Sequence, residues 1–576
     1  MARLVLRVFL FCNLSFLINL NISSQAEYPE MIQASLPSFS GEKIRLFTDR
    51  GIYCVNERIY FTAEYSCING PDTLAWSNVL YVELIKWNGE KLARIKLEMN
   101  RTGADGSIEI PGNTLSGNYY LRAYTKWMRN FPTHEYARLL VKIVNPYLPE
   151  TDEGPVEKPD SPVLTMRNIA RNKMLNGIIC KPDKNEYRPG EKVEVTLDID
   201  KGKLSYAGEY CISVARDGDI DTTVQSFEPV PVSPESSRYN MEYLPEIRGM
   251  TISGKILDKP VKSVMKNVQV SLSETRYGEY FSVCRTNDGG RFVFLLPDMT
   301  GNYDFFIQTD ASSEILIDND FCNRPVNLPY VAFSLNPDEV QRIKDMVINR
   351  QLTERFMPDK NTKTDSPAGK PEPVVFYGNK KTVYYTSKYI ELPNIEEFAN
   401  EIIIEAEIIN KKGMSSVMIK SRTSLSAYPP LILLDNVQVD NDDRLLKIPL
   451  NRIEKVEIIN KGYIVDEMKY SGVMSIYSKN RDFAGLDLNK NSMFFTYGLF
   501  SAKEPGDDFN GRPGDPRIPD RRNLLYWNPA IQLSAGKKSG IMFFTSDCKG
   551  DYIVYVRAKN SRDNQEIYGK CHFSVR

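Results

Sequence analysis

YRPGEKVEV, residues 187–195, and YCVNERIYF, residues 53–61, are two copies of one pattern, and they decide the fold expected for this chain. Each copy places a tyrosine before a turn and an alternating strand after it. The matched residues are Tyr53, Glu57, Arg58, Ile59 and Phe61 in the first copy and Tyr187, Glu191, Lys192, Val193 and Val195 in the second. Short alternating strands with turns every ten residues or so predict antiparallel sandwiches. The predicted fold class is therefore mainly β, with tandem antiparallel β-sandwich domains.

Turn residues divide the surroundings of both copies into strands. We predict one sandwich over 42–146, which carries two-residue hairpin signals at Asn88–Gly89 and Asp105–Gly106. A second sandwich is predicted over 170–247, around the second copy. The Pro- and acid-rich stretch within 147–165 predicts a linker between the two.

Three further segments carry their own signals. Over 250–335, strands flank a polar turn where Gly289–Gly290 can supply positive φ, which predicts a third small sandwich. Residues 336–387 combine a helix that begins at Asn336–Pro337 with a linker rich in Pro and charge. The strands of 520–576 predict a C-terminal β domain.

The stretch PPLILLDNVQV, residues 429–439, predicts a tight hairpin with Asp435 and Asn436 in its turn. Asparagine is the non-glycine residue that best tolerates the left-handed conformation such a turn requires. The hairpin lies within 388–485, where a capping box at Asn394 predicts a short helix. This segment is therefore expected to be a small α+β domain.

Three segments resemble known families. YRPGE is similar to the motif that opens the sandwich domains of alpha-macroglobulins. ISGKILDKPVKSVMKNVQVSL followed by CRTNDGGRFVF resembles the carboxypeptidase regulatory-like fold, which implies a spacer or binding module without peptidase chemistry. The order of hairpin, IEKVEII and GVMSIYSK resembles the plug domain of TonB-dependent outer-membrane receptors. Such receptors need a barrel of about 22 strands, for which the residues after Lys479 are too few, so the transport function is not carried over.

Composition indicates a folded, exported protein. Hydrophobic residues make up 42% and charged residues 26%, and the formal net charge of -1 gives no electrostatic reason to expect nucleic acid as a partner. Residues 1–26 have the pattern of a signal peptide that is cleaved after Ala26. The alternative is that Cys12 is a lipoprotein cysteine. No later run is apolar enough for a transmembrane segment in the mature chain. We expect the protein in the periplasm or at the cell outer membrane surface.

Eight cysteines follow the signal peptide, two in each of four segments. Export favours disulfides, and the predicted pairings are local: Cys54 with Cys67, Cys180 with Cys211, Cys284 with Cys322, and Cys548 with Cys571. The alternative is that most of them are buried thiols that act as small apolar residues.

Enzyme motifs are missing from the sequence. His134 and His572 are its two histidines, and neither lies in a metal-binding motif. The nucleophile elbow, the phosphate loop and the CGEQ thioester motif are absent. We therefore predict no catalytic residue, no metal site, no cofactor and no enzymatic activity.

The leading hypothesis is a non-catalytic cell-envelope scaffold or accessory protein of an outer-membrane, TonB-dependent receptor-related system. Its expected partner is an envelope or outer-membrane protein. A ligand-binding component of nutrient uptake is one alternative, and it would bind a glycan or peptide on exposed aromatic residues such as those of GNYYLRAYTKWMRNF, residues 117–131, part of which a sandwich core would bury. A macroglobulin-like protease-interacting protein without a thioester is the other, with cleavable loops in 149–163 or 358–373.

Overall fold

The structure is a computed structural model that describes most of the chain from residue 41 onward. The described residues are 41–68, 77–152, 154, 175–199, 208–220, 242–326, 328–356, 374–411, 414–421, 423–441, 443–501, 518–533, 538–559 and 566–576. The signal peptide predicted over 1–26 and the alternative at Cys12 lie outside them. So do 358–373 and most of 149–163, on which the protease-interacting alternative depends.

The described chain falls into two compact units. Unit 1 lies within Met250–Asn319 and Pro367–Leu499, and unit 2 lies within Phe39–Gly249, Asp320–Ser366 and Phe500–Arg576. Both units are therefore built from stretches that are separated in sequence.

Sandwich A is the first element of unit 2. Its strands are β1 (Gly41–Thr48), β2 (Ile52–Cys54), β3 (Arg58–Ile68), β4 (Val79–Ile85), β5 (Lys91–Glu98), β6 (Gly103–Glu109), β7 (Gly117–Tyr124) and β8 (Ala137–Val144), with 3-10 turns at Trp127–Asn130 and Thr133–Glu135. One sheet has the order β1-β3-β6 and the other β2-β8-β7-β4-β5. The pair β2–β8 is parallel and the other pairs are antiparallel. The inward residues Ile59, Phe61 and Ala63 of β3 are buried, as their alternation predicts.

One predicted turn is wrong. Asp105 and Gly106 lie inside β6, where they pair with β3. The chain turns earlier, where the amide of Asn100 donates to the carbonyl of Gly103 at 2.9 Å. A Cβ on Gly106 would lie 2.6 Å from a methyl group of Leu97, so the glycine is needed for close packing.

The chain then begins a second sandwich, sandwich B, also in unit 2. Its first strands are β9 (Leu175–Asn176), β10 (Ile178–Pro182), β11 (Glu186–Tyr187), β12 (Lys192–Ile199) and β13 (Gly208–Arg216). β10 and β12 pair with each other, whereas β13 has no partner among these five strands. The remaining strands come from much later in the sequence.

Unit 1 begins with another sandwich. Its strands are β14 (Thr251–Asp258), β15 (Gln269–Glu274), β16 (Phe281–Arg285), β17 (Arg291–Leu295), β18 (Asn302–Thr309) and β19 (Ser313–Ile317). One sheet has the order β17-β14-β19, and β16-β15-β18 belong to the other. Gly290 adopts φ +67° in the polar turn before β17.

One long helix, α1 (Pro337–Phe356), returns the chain to unit 2. Asn336 caps it, because its side chain accepts from the amide of Glu339 at 2.9 Å and its own amide donates to the Glu339 carboxylate at 2.9 Å. Ile343 and Met346 pack against β2 of sandwich A. The helix therefore covers one edge of that sandwich.

The second half of unit 1 mixes helices with strands. Its elements are β20 (Thr382–Tyr385), α2 (Ile395–Glu401), β21 (Ala406–Lys411), β22 (Met414–Ile419), β23 (Leu431–Leu434), β24 (Val437–Gln438), α3 (Asp443–Leu446), β25 (Ile453–Ile459), β26 (Tyr463–Val465), β27 (Met468–Tyr470), β28 (Val473–Ser478) and β29 (Ser492–Gly498), with 3-10 turns at Thr386–Lys388, Leu450–Arg452 and Phe483–Gly485. A mixed sheet has the order β20-β25-β28-β23-β24, in which β23–β28 is parallel. β21–β22 and β26–β27 are hairpins, and β29 adds to β18.

The last strands complete sandwich B. They are β30 (Leu524–Leu533), β31 (Ser539–Phe544), β32 (Gly550–Lys559) and β33 (Glu566–Val575). The sheets have the orders β10-β12-β31 and β11-β33-β32-β13-β30, and β9 pairs with β33. This differs from the separate C-terminal β domain predicted over 520–576. The second edge of β12 and both edges of β13 are paired only when these strands join them.

Sandwiches A and B have the same strand order, which confirms a mainly β fold class with tandem antiparallel sandwiches. In sandwich A a short turn at Asn88–Gly89 joins β4 to β5, with Gly89 at φ +86°. The equivalent strands of sandwich B, β13 and β30, are also antiparallel neighbours. Residues 217–523 replace that turn. Because the ends of a hairpin lie close together, a unit can be inserted there without breaking the sandwich.

Candidate interaction site

The first copy of the repeated motif closes a turn through a tyrosine and an acid. The hydroxyl of Tyr53 donates to Oδ1 of Asp49 at 2.7 Å and accepts from the amide of Arg50 at 3.1 Å. The carboxylate of Glu57 accepts from the amide of Cys54 at 2.8 Å. The tyrosine bonds hold the turn that leads from β1 into β2, and the glutamate bond holds the turn from β2 into β3.

The second copy repeats the same chemistry. The hydroxyl of Tyr187 donates to Oδ1 of Asp183 at 2.7 Å and accepts from the amide of Lys184 at 2.9 Å. The carboxylate of Glu191 accepts from the amide of Arg188 at 2.7 Å. The repeated tyrosine and acid are therefore structural residues of the turn.

The turn of sandwich A contains a buried cluster of charges. Arg50 pairs with Asp49 at 3.0 Å and with Glu57 at 3.3 Å. Asp219, which is 2% exposed, lies 3.3 Å from Nε of Arg342 on α1, but that contact is not aligned as a hydrogen bond. Burial raises the pKa of Asp219 from 3.8 to about 6, and the nearby arginines only partly oppose it.

Asp219→Asn is expected to remove one part of the pH dependence of the free energy of unfolding of unit 2. Since the folded-state pKa is raised, Asp219 contributes most stability below pH 3.8, and the contribution is lost as the pH rises through about 6. A difference of about two pKa units between the folded and unfolded states corresponds to a change of about 3 kcal/mol in the free energy of unfolding. Urea unfolding followed by tryptophan fluorescence measures it, because all four tryptophans belong to the sequence segments of unit 2. The matched control is Asp217→Asn, at a half-exposed carboxylate; an unchanged pH profile in Asp219→Asn would contradict the assignment.

The aromatic segment 117–131 is not an exposed platform. Every residue of β7 is buried, and so is Trp127. One face of β7 lines the sandwich, and residues 320–326 and 328–331 cover the other. The Tyr124 hydroxyl accepts from the amide of Cys322 at 2.8 Å, and the Tyr120 hydroxyl donates to the carbonyl of Pro329 at 2.7 Å. The ligand-binding interpretation of this segment is therefore wrong, because a distant segment buries its second face.

The predicted hairpin residues form a two-residue turn between β23 and β24. Asp435 has φ +48° and Asn436 has φ +68°. The Asp435 carboxylate accepts from the amide and the hydroxyl of Ser478 at 2.8 and 2.5 Å and from the amide of Phe483 at 2.9 Å. Nδ2 of Asn436 donates to the carbonyl of Thr275 at 3.1 Å. Both residues are buried in unit 1, so this turn supports the fold and does not present a binding tip.

The eight cysteines are thiols in the structure, and the four predicted pairings are not formed. Cys54 on β2 and Cys67 on β3 lie in different sheets of sandwich A, as Cys180 and Cys211 do in sandwich B. Cys284 lies in unit 1 and Cys322 in unit 2. Cys548 contacts the side chain of Asn349 at 3.5 Å. Cys180 and Cys571 pack against the same core, and interaction with Cys571 is the main cause of the raised pKa of Cys180. These two cysteines are not one of the four predicted pairs.

The two histidines lie apart, in sandwiches A and B. His134 is exposed, and Nδ1 of His572 lies 3.5 Å from the half-exposed carboxylate of Asp217. Across the described ranges, no group of three or more His, Cys, Asp or Glu residues could hold a metal ion. The helices among those ranges include none that is long and apolar enough to cross a membrane.

Unit 1 exposes an apolar group that the sequence analysis missed. Tyr389 packs its ring against Phe398 of α2, with the ring centroids 5.8 Å apart. Ile390 is 72% exposed and Ile404, just after α2, is 79% exposed. We call Tyr389, Ile390 and Ile404 the 389–404 patch. Single exposed apolar side chains are common on protein surfaces, whereas exposed apolar side chains that lie together mark an interaction site.

The patch lies beside the edge of the mixed sheet. Tyr384 of β20 packs against Tyr389 with ring centroids 6.3 Å apart. The carboxylate of Glu405, next to Ile404, accepts from the hydroxyls of Thr382 and Tyr384. Burial, together with the bond to Glu405, raises the pKa of Tyr384 to about 12. In the described part of the chain, β20 pairs with β25 alone. Its other edge therefore offers backbone groups to a partner. The sequence signal that could have predicted this site is the run SKYIEL. In it, apolar residues follow a strand that has no hairpin partner.

Known proteins give limited guidance. Neither a family model nor a curated protein matches this chain. Among solved structures, trypsin-activated alpha-2-macroglobulin from Escherichia coli is 10% identical with a TM-score of 0.22, over 94% of this chain and 42% of that one. Salmonella alpha-2-macroglobulin reacted with methylamine is 10% identical with a TM-score of 0.23, over 93% of this chain and 40% of that one. The chain thus spans about two-fifths of these structures, and TM-scores below 0.5 carry no argument about it.

Proposed function

We propose that this chain is a non-catalytic scaffold or accessory protein of the bacterial cell envelope that works through protein contacts. Its location is the periplasm or the cell outer membrane surface, and its partner is an envelope protein of a TonB-dependent receptor-related system. The observation that carries the proposal is the 389–404 patch beside the open edge of β20. The signal peptide pattern of 1–26 and the plug-like order of 388–485 supply the envelope setting.

The partner that fits this site is an extended polypeptide segment with apolar side chains. An added strand would pair with the outer edge of β20, which is only Thr382–Tyr385. Four residues give few backbone hydrogen bonds, so side-chain burial must supply most of the affinity. Fully burying Ile390 and Ile404 contributes about 1.5–3 kcal/mol each, against an association cost of about 4–15 kcal/mol. A stable complex therefore needs contacts beyond the patch, as expected for a folded partner.

Buried acids of this chain support a structural role for its carboxylates. Glu57 is held by a backbone amide and Arg50, and Asp435 by two amides and a hydroxyl. Glu83 is held by Arg122 and a tyrosine. These three carboxylates stabilise the structure around them and are not placed for acid–base chemistry on a substrate.

Site-specific photo-crosslinking in the native envelope tests the proposal. A benzophenone side chain at position 404 is expected to trap one envelope protein, because that position lies in the patch. Val261 is the matched control: it is also in unit 1 and is 75% exposed, against 79% for Ile404. Equal labelling at both positions, or no product at 404, would contradict the proposed contact.

Ile404→Glu is expected to weaken recovery of the same partner at least tenfold in affinity purification, because it places a charge in an apolar contact. Val261→Glu should leave recovery unchanged. Circular dichroism checks that both variants keep their fold. Equal recovery by the two variants would show that the patch does not carry the interaction.

A further inference from the structure

Cys180 and Cys571 meet where β10 runs beside β33 in sandwich B. β9 pairs with β33 in parallel, and the amide of Gly177 donates to the carbonyl of Tyr568 at 3.1 Å. The chain then continues into β10, which pairs with β12 in the opposite sheet. A Cβ on Gly569 would lie 2.5 Å from the carbonyl oxygen of Ile178, so the two strands approach closely. The two cysteines follow directly after this close approach.

Both cysteine side chains face the interior of sandwich B. They pack against its apolar core and are partly buried. Interaction with the thiol of Cys571, together with burial, raises the pKa of Cys180. The contact joins the sheet β10-β12-β31 to the sheet that contains β33.

Sandwich A shows what normally occupies the first of these positions. Val195 matches Phe61 in the repeat, so Leu197 matches Ala63 two residues later. Ala63 pairs with Leu46 on β1. Leu197 pairs with Cys180 on β10. Leu46 is therefore the counterpart of Cys180, and it is fully buried.

The second position is assigned in the same way. Tyr53 pairs with Ile143 on β8, and its counterpart Tyr187 pairs with Val575 on β33. Counting back four residues from each partner makes Leu139 the counterpart of Cys571. Leu139 is also buried. Both leucine positions of sandwich A are thus cysteines in sandwich B.

We propose that Cys180 and Cys571 form a disulfide that joins the two sheets of sandwich B across the inserted residues 217–523. The Sγ–Sγ bond forms as the two thiols release two protons and two electrons. A disulfide-bearing oxidant accepts them and is reduced to two thiols. The proposal depends on export to an oxidising compartment and is independent of the partner at the 389–404 patch.

The disulfide would limit the conformational freedom of the unfolded chain. Sandwich B is assembled from two segments separated by the whole insertion, so its unfolded chain has great freedom to separate them. Cross-links that close long loops remove the most unfolded-chain entropy. The bond would therefore stabilise the sandwich that the insertion interrupts.

Peptide mapping under non-reducing conditions tests the pairing in the full-length protein. After treatment of the folded protein with oxidised glutathione, we expect one cross-linked peptide pair that contains Cys180 and Cys571. Recovery of either cysteine joined to another one, or of both as alkylatable thiols, would overturn the proposal.

Thermal unfolding followed by tryptophan fluorescence gives an independent readout. Reduction of the oxidised wild type is expected to lower the unfolding midpoint of unit 2 by about 5–15 °C. The double variant Cys180→Leu/Cys571→Leu introduces the leucines found at the equivalent positions of sandwich A, so it should fold. Its unfolding midpoint should not shift on reduction. A shift of equal size in that variant would assign the effect to other cysteines. The absence of any shift in a wild type shown to be cross-linked would contradict the stabilising role.

Discussion

Arg122→Met is expected to lower the free energy of unfolding of unit 2 by about 3–5 kcal/mol. Arg122 of β7 and Glu83 of β4 are directly paired and both buried, on the same face of the sheet as Tyr120 and Tyr124. Nε of Arg122 donates to Oε2 of Glu83 at 3.0 Å, and the Tyr124 hydroxyl donates to the same oxygen at 3.0 Å. The guanidinium also lies over the rings of Tyr124 and Tyr136, 5.3 and 5.7 Å from their centroids. Methionine fills much of that space but leaves the Glu83 carboxylate buried without its cation.

The double variant Glu83→Leu/Arg122→Met is the control. Replacing both partners of a buried ion pair by apolar residues of similar volume is often nearly neutral. Urea unfolding followed by tryptophan fluorescence is therefore expected to show a much smaller loss for the double variant than for Arg122→Met. Equal losses would mean that packing of the arginine over the two rings, and not its charge, stabilises the sandwich.

Asp435→Ala is expected to destabilise unit 1 by about 3–5 kcal/mol, because it leaves buried hydrogen-bond donors without an acceptor. The carboxylate accepts from two amides and one hydroxyl, contributed by Ser478 and Phe483. Each hydrogen bond to a charged group contributes about 1.5–3 kcal/mol, and losses within one cluster are not fully additive. Hydrogen exchange of a peptide covering 473–485 measures the change as a loss of protection of at least 100-fold.

Asn436→Gly is the matched control at the neighbouring turn position. Glycine relieves the cost of φ +68° but removes the hydrogen bond to Thr275. These effects oppose each other, so we expect a change within about 1 kcal/mol. Similar losses of protection in Asp435→Ala and Asn436→Gly would indicate that turn conformation, and not the carboxylate, determines the stability of this region.

Local chemistry was predictable from short stretches of sequence. The tyrosine and acid of each repeated motif close their turns with partners at most four residues away. The caps at Asn336 and Asn394 each act on an amide three residues later. The turn at Asp435–Asn436 depends on backbone conformations that only a few residue types tolerate. Such interactions are encoded by residues that are close together in the sequence.

Candidate interaction residues were harder to predict. Aromatic residues of 117–131 pointed to a binding platform, yet residues 320–326 and 328–331 cover the outer face of β7. The 389–404 patch was not predicted, because whether an isoleucine is exposed depends on whether another segment packs over it. Burial is a property of the neighbours, and these neighbours come from distant parts of the chain.

By itself, the sequence determined that this protein is built from β-sandwiches, where many of its strands begin, and how the repeated turns close. The tertiary structure alone decided that β30–β33 complete sandwich B, that Gly106 serves packing, and that Cys180 meets Cys571. The physical reason is the range of the interactions. Turns and caps join residues within a few positions, whereas alternating apolar strands of similar pattern can pair with many partners, and only the fit of whole sheet faces selects among them.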